Sequence, residues 1–466
     1  MGDRRRRRKK RAVGRKAQQA EAQARDPAAR ARRAVRVVVI AYLALAGLYA
    51  TSIPPGKGPD ETAHVRYVSW LADNHRLPVF QREHPGADYE FHQPPLFYLV
   101  SLPTYLLAGR GGDVALQAVR FVSILFGIAL LYLTFGLGRV LAPDRPWVAV
   151  AAAGVVAFLP MHLALVASVG NDVLTEVFFA AALLLVAHYL RGASSYRRGE
   201  AERPPRVSAM VSLGLMIGLG MLTKSLAVLL FPVGWAAAAL AARGPKGYEW
   251  RRLARDAAVS TAVALALCGW WLVRNQIIYG DPLAQKAFLS AFQDRPSPQS
   301  FMAQYEVTPP LYVVQVAIIT LASSLGMFGP PFGNRFAFFP YWVYLIFWVK
   351  ALGEGGGFLR YLPRAGLADW QRQAWWLSGL LGLLLVLSFV RFNLSFFQAQ
   401  ARYLFPALPP AALALCLGLN ELAPSRWRPA VLAAGVGLVA LLAFVGLFLW
   451  IVPQFHLTPP ALPASP

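Results

Sequence analysis

Along the 466 residues, apolar stretches nearly free of charge alternate with short loops rich in arginine or in turn residues. Stretches of about 17 to 25 such residues match the length a helix needs to cross a hydrocarbon core of roughly 30 Å. The pattern predicts eleven spans, at 37–53, 120–141, 147–168, 173–190, 207–223, 225–242, 256–277, 338–352, 375–391, 403–421 and 428–451. Two further apolar stretches, 94–108 and 311–328, are read as juxtamembrane or re-entrant helices on the outer side. The expected fold class is an all-α membrane protein, a multi-span helical bundle.

The loops orient this bundle, because Lys and Arg in short loops collect on the cytoplasmic side. With the N-terminus inside, every inside loop is basic. These loops carry Arg139 and Arg145, five arginines from Arg191 to Arg206, five cations from Arg243 to Arg255, four from Lys350 to Arg372, and Arg426 with Arg428. The alternation holds through the chain only if 94–108 and 311–328 do not cross. It leaves a long outer loop at 54–119, a second at 279–337 and a Pro-rich outer tail at 453–466, with the transmembrane domain at 37–452.

Composition agrees. With 56% hydrophobic and 15% charged residues and a mean hydropathy of +0.44, the chain has too few polar side chains to coat a soluble globule of this size. Its two cysteines, Cys268 and Cys416, lie in apolar runs and suggest packing rather than a disulfide or a thiolate metal site. The net charge of +23 raises the question of nucleic acid, but the first 36 residues alone carry +12. That excess reads as a cytoplasmic arm, 1–36, resting on anionic lipid, with no nucleic-acid partner. The apolar segment behind it lacks a small-residue cleavage site and is expected to be retained in the plasma membrane.

Candidate chemistry gathers on the outer side. The adjacent acids Asp60 and Glu61 directly follow the first span, and four of the seven histidines lie between His64 and His92 in the same loop, which ends His92-Gln93-Pro94-Pro95-Leu96. Asn171-Asp172, Lys224, Arg274-Asn275, Arg391 and Arg402 also fall at outer helix ends. Any one of these charges could snorkel to the interface. Cations from several spans converging beside acids, against the positive-inside bias, point instead to a polyanionic ligand. A carboxylate base, a cationic cradle for a phosphate leaving group and apolar walls for a polyprenyl tail are what transfer of a sugar from a polyprenyl phosphate requires. The rival class is a lipid-linked substrate transporter or flippase, which would place polar residues near span midpoints.

The order of basic tail, span, Pro-Asp-Glu, His-x-Pro-Pro-Leu, Asn-Asp, Thr-Lys, Arg-Asn with Tyr-Gly-Asp-Pro, and Arg-Tyr-x-x-Pro resembles the GT-C superfamily of integral membrane glycosyltransferases over roughly residues 37–421. Its relatives include protein O-mannosyltransferases and bacterial lipid A aminoarabinose transferases of the cell envelope. The resemblance implies Asp60 as catalytic base with Glu61 beside it, Asp172 as the acid of the second outer loop, and Lys224, Arg274 and Arg402 as donor-phosphate or substrate contacts. His92 joins the substrate-binding candidates. The sequence departs from the aminoarabinose transferases at His92-Gln93, where they carry Glu-Lys, so their lysine contact has no counterpart at Gln93. A divalent metal held by His64 and His92 is an open alternative. The implied partners are a polyprenyl-phosphate sugar donor, membrane lipids and a glycan, lipid or protein acceptor.

Overall fold

The computed structural model describes residues 26–81, 87–293, 295–332 and 335–456. Most of the basic arm, His84 and the last ten residues of the Pro-rich tail lie outside the described residues. Each of the eleven expected spans falls on a helix. The helices are α1 Pro27–Ser52, α2 Glu61–Asn74, α3 Leu96–Leu107, α4 Gly112–Leu141, α5 Pro146–Phe158, α6 Pro160–Val166, α7 Asp172–Arg197, α8 Ser208–Met221, α9 Leu230–Ala241, α10 Trp250–Tyr279, α11 Gln285–Ala291, α12 Pro298–Tyr305, α13 Pro309–Leu325, α14 Tyr341–Arg364, α15 Asp369–Asn393, α16 Leu408–Leu422 and α17 Arg428–Gly446.

Among the described residues, seven helices are long and apolar enough to cross a membrane unaided. Bent pairs raise that number to as many as nine: α5 with α6, bent by 66°, and α12 with α13, bent by 101°. The α5–α6 bend has a plain cause, since Pro160 opens α6 and removes a backbone donor at the break. The expected spans at 207–223 and 225–242 are shorter apolar helices. The chain is a multi-pass helical membrane protein.

Lipid does not drive apolar helices together, so association rests on close packing. At the α14–α16 crossing, a Cβ on Gly418 would lie 1.7 Å from the Glu354 carbonyl oxygen, so only glycine allows that approach. The α2, α3 and early α4 segments form a second apolar cluster that includes Tyr67, Phe91, Phe97 and Tyr98. Tyr67 and Tyr98 stack with ring centroids 3.7 Å apart. The stretch expected to be juxtamembrane, 94–108, is thus the helix α3 packed within this cluster.

One ion pair fastens the loop after α1 to the bundle. Arg120, on α4, has a side chain with no exposure and donates to both oxygens of Glu61, Nε to Oε1 at 2.8 Å and Nη2 to Oε2 at 2.6 Å. Its remaining donors reach the carbonyls of Ala50, Ile53 and Pro54, the residues where α1 ends. Glu61 in turn accepts from the backbone N–H groups of Gly56, Gly58 and Val169. A buried pair broken on one side leaves an uncompensated charge, at a cost of about 3–5 kcal/mol. Arg120→Met should therefore lower the thermal stability of the detergent-solubilised protein by about that amount, and Arg120→Lys by less. A melting curve unchanged in Arg120→Met would contradict this anchor.

Candidate active site

Asp60 immediately precedes α2, and its backbone is left-handed, with φ 54°. A non-glycine residue held there is strained, and such strain collects at functional sites. The turn sends the two adjacent acids in different directions: Glu61 into the bundle toward Arg120, and Asp60 across the bundle end toward Arg402. Asp60 does not cap its own helix. It accepts instead from the Tyr89 hydroxyl at 2.7 Å and from Nη2 of Arg402 in a very short ion pair.

Arg402 lies in a tight helical turn, Ala401–Ala407, that leads into α16. Its Nη1 reaches Asp172, the first residue of α7, at 3.5 Å. The other Asp172 oxygen accepts from Lys224 Nζ at 2.5 Å. Lys224 stands in extended backbone between α8 and the turn Ser225–Leu229, with its ammonium 5.8 Å from the centre of the Tyr403 ring. Asp60, Arg402, Asp172 and Lys224 thus form a row of alternating charge drawn from four distant segments. The row sums to zero.

Burial favours the neutral acid at Asp60, but the Arg402 guanidinium, then His64 and the Tyr89 hydrogen bond outweigh it and hold the carboxyl well below the usual range. Glu90 shows the opposite balance. Burial pushes its carboxyl up despite the nearby charges of His64 and Lys224, and among the described residues its Oε2 has no hydrogen-bond partner. His92 is pushed down to about 4 by burial, so it is neutral at ordinary pH.

The two histidines considered as metal ligands are engaged separately. His64 Nδ1 bonds the Tyr98 hydroxyl at 2.8 Å, and His92 Nδ1 bonds the Tyr89 carbonyl at 2.7 Å. Among the described residues, no three His, Cys, Asp or Glu side chains are grouped as metal ligands. This donor set does not fit a metal centre. Arg274 is likewise held away from the row. Its Nη2 donates to the Pro78 carbonyl at 2.5 Å, and its guanidinium lies 4.6 Å from the centre of the Trp271 ring.

Beside the row opens a cavity of about 470 Å³, walled by Leu229 of the turn after Lys224, Phe288 and Leu289 of α11, and Leu384, Leu387 and Phe389 of α15. Its polar lining includes Lys224, Gln93, Tyr403 and Arg391. Lys224 and Tyr403 therefore belong both to the charged row and to an apolar chamber. Gln93 is steered by Asn171, whose amide donates to its Oε1 at 3.3 Å and to the Thr223 carbonyl at 3.1 Å.

Sequence reasoning did not single out Tyr89 or Arg120. Arg120 did carry a signal, being an isolated cation at the head of a long apolar run. Tyr89 carried none, since its role depends on how the loop folds back over Asp60.

Residues 92–271 match the family model described as dolichyl-phosphate-mannose-protein mannosyltransferase. The fold is similar to that of ArnT from Cupriavidus metallidurans bound to undecaprenyl phosphate, with TM-score 0.53 and 15% identity, covering 90% of this chain and 73% of that one. It is also similar to the Archaeoglobus fulgidus oligosaccharyltransferase in the apo form, with TM-score 0.54 and 14% identity, covering 91% of this chain and 56% of that one. The archaeal oligosaccharyltransferase AglB from Archaeoglobus fulgidus, in complex with an inhibitory peptide and a dolichol-phosphate, gives TM-score 0.53 at 14% identity, with 91% of this chain and 56% of that one covered. The chain thus spans a little over half the length of the archaeal enzyme. No curated protein matches it by sequence.

A carboxyl titrating below its ordinary value stabilises the fold above the unfolded-state pKa, about 3.9 for Asp, and that contribution is lost as pH falls further. The difference in melting temperature between wild type and Asp60→Asn should therefore hold steady from about pH 8 to about pH 5 and shrink only on stronger acidification. A difference that fades between about pH 7 and about pH 5 would contradict the pairing of Asp60 with Arg402.

Proposed function

We propose that the protein transfers a sugar from a polyprenyl-phosphate-linked donor to an acceptor hydroxyl at the extracytoplasmic face, with inversion, and that Asp60 is the base. The observation that carries this reading is the charged row meeting the apolar cavity at Lys224. The cavity offers room for part of an isoprenoid chain, and the row offers a carboxylate and two cations. Charge placement supports this face. α7 begins at Asp172 in the row and ends at Arg197, and α10 begins beside Arg251, Arg252 and Arg255 and ends near Asn275. The basic loops thus lie at the helix ends remote from the row, as the positive-inside bias requires of the cytoplasmic side.

In this mechanism the acceptor oxygen attacks the anomeric carbon from the side opposite the phosphate, which inverts that centre. The acceptor's proton passes to an Asp60 oxygen. The bond from the anomeric carbon to the phosphate oxygen breaks, and its electron pair leaves on the phosphate. One unit of negative charge therefore moves from Asp60 to the departing phosphate. Arg402, which touches both Asp60 and Asp172, and Lys224, which borders the cavity, are the cations that stay in place while it moves.

The low pKa of Asp60 suits this order of events. It keeps the base ionised, and the acceptor oxygen becomes strongly acidic only as it bonds to the anomeric carbon. Glu61 has no exposure and takes two donors from Arg120 and three from backbone N–H groups, so it serves as the anchor of the loop rather than as a second base. Asp172 fits a role in holding Lys224 and Arg402 in register. Arg274, expected as a phosphate or substrate contact, fits a role in fixing the 75–81 segment through Pro78.

Loss of a general base removes about 10²–10⁴ of the rate. Asp60→Asn should lower transfer by at least that range in membranes supplied with lipid-linked sugar, while binding of undecaprenyl phosphate persists. Retention of more than about a tenth of the wild-type rate would remove Asp60 from this role.

A further inference from the structure

The charged row leaves one accounting question, and it concerns the donor. Lys224 is already matched to Asp172, and Arg402 to Asp60 and Asp172. A sugar phosphodiester brings one further negative charge into this neutral set, and desolvating it without a counter-charge is costly. Among the residues that line the cavity, the one other charged side chain is Arg391. It sits in the last turn of α15, and among the described residues its guanidinium makes no ion pair and donates no hydrogen bond. Ser388, three residues before it, and Ser395, four after it, also face the cavity, so this stretch presents a guanidinium flanked by two hydroxyls.

We propose that Arg391 is the counter-charge for the donor's standing phosphate charge and sets affinity for a lipid-borne phosphate, whereas Lys224 and Arg402 answer the charge that appears as the phosphate leaves. The proposal rests on the donor reading above. The chemistry recognised is a phosphate ester on an isoprenoid alcohol, taken by a planar fork of donors at the rim of an apolar chamber. Arg391 is a binding residue in this assignment and takes no proton.

The alternative use of such an arginine is structural, since a cation in the last turn of a helix is favoured by the helix dipole and can reach the interface. The two uses separate in one experiment. The full-length protein in detergent is titrated with undecaprenyl phosphate and, in parallel, with undecaprenol, and binding is read by thermal shift and native mass spectrometry. Wild type should prefer the phosphate. Arg391→Gln should weaken binding of undecaprenyl phosphate about tenfold, as loss of a charged hydrogen bond does, and leave undecaprenol binding unchanged. Arg391→Lys should recover part of the loss.

If wild type binds the phosphate and the alcohol alike, the donor reading falls and this inference falls with it. If wild type prefers the phosphate and Arg391→Gln keeps that preference undiminished, the donor reading stands and the assignment of Arg391 is overturned. A variant that loses stability and undecaprenol binding together, with no recovery in Arg391→Lys, would show the structural use and overturn it as well.

Discussion

The pairing of Arg120 with Glu61 is the constraint on which the rest of this structure depends. Both side chains are fully buried among helices, where an isolated charge is very costly, and each is saturated by fork geometry and backbone partners. The pair pulls the end of α1, the Gly56–Gly58 turn and the start of α2 onto α4. Gly58 tolerates this because a Cβ there would meet the Ser168 Cβ at 2.4 Å. With Glu61 committed inward, the left-handed backbone at Asp60 turns the neighbouring carboxylate toward Arg402. A scaffold acid and the acid proposed as the base thus occupy consecutive positions.

The second constraint is electrical. Four charges from the first outer loop, α7, the α8–α9 connection and the turn before α16 cancel pairwise, so the bundle end tolerates them without a bound ligand. The same arrangement suits a reaction in which charge moves without being created. In the proposed transfer, a proton lost by the acceptor would neutralise Asp60 while the phosphate gained what Asp60 gave up, and Arg402 and Lys224 would not have to move far to follow it. The apolar cavity borders this site at Lys224.

Much of this was legible in the sequence because membranes make charge placement expensive. Asp60, Asp172, Lys224 and Arg402 stood out as charges at the ends of apolar runs, and the fold brings all four together. Helix positions were legible for the same reason, although helix lengths at Ser208–Met221 and Leu230–Ala241 were not, since apolar periodicity does not say where a helix bends or stops. Asp60 and Glu61 bear no distinguishing mark along the chain, because the backbone turn between them and the partner at Arg120 are features of the tertiary structure. Arg274 illustrates the converse. Its flanking Arg-Asn and Tyr-Gly-Asp-Pro pattern suggested a phosphate contact, yet its partner is the carbonyl of Pro78, 196 residues away, which no local pattern reports.

The central claim is that a lipid-borne phosphate meets the charged row at Lys224. The most direct test is an electron cryomicroscopy map of the protein with undecaprenyl phosphate in lipid nanodiscs. The account predicts phosphate density within about 4 Å of the Lys224 ammonium, with isoprenoid density running along Leu384, Leu387 and Phe389 of α15. Phosphate density remote from Lys224, with the cavity beside α15 empty of lipid, would contradict it.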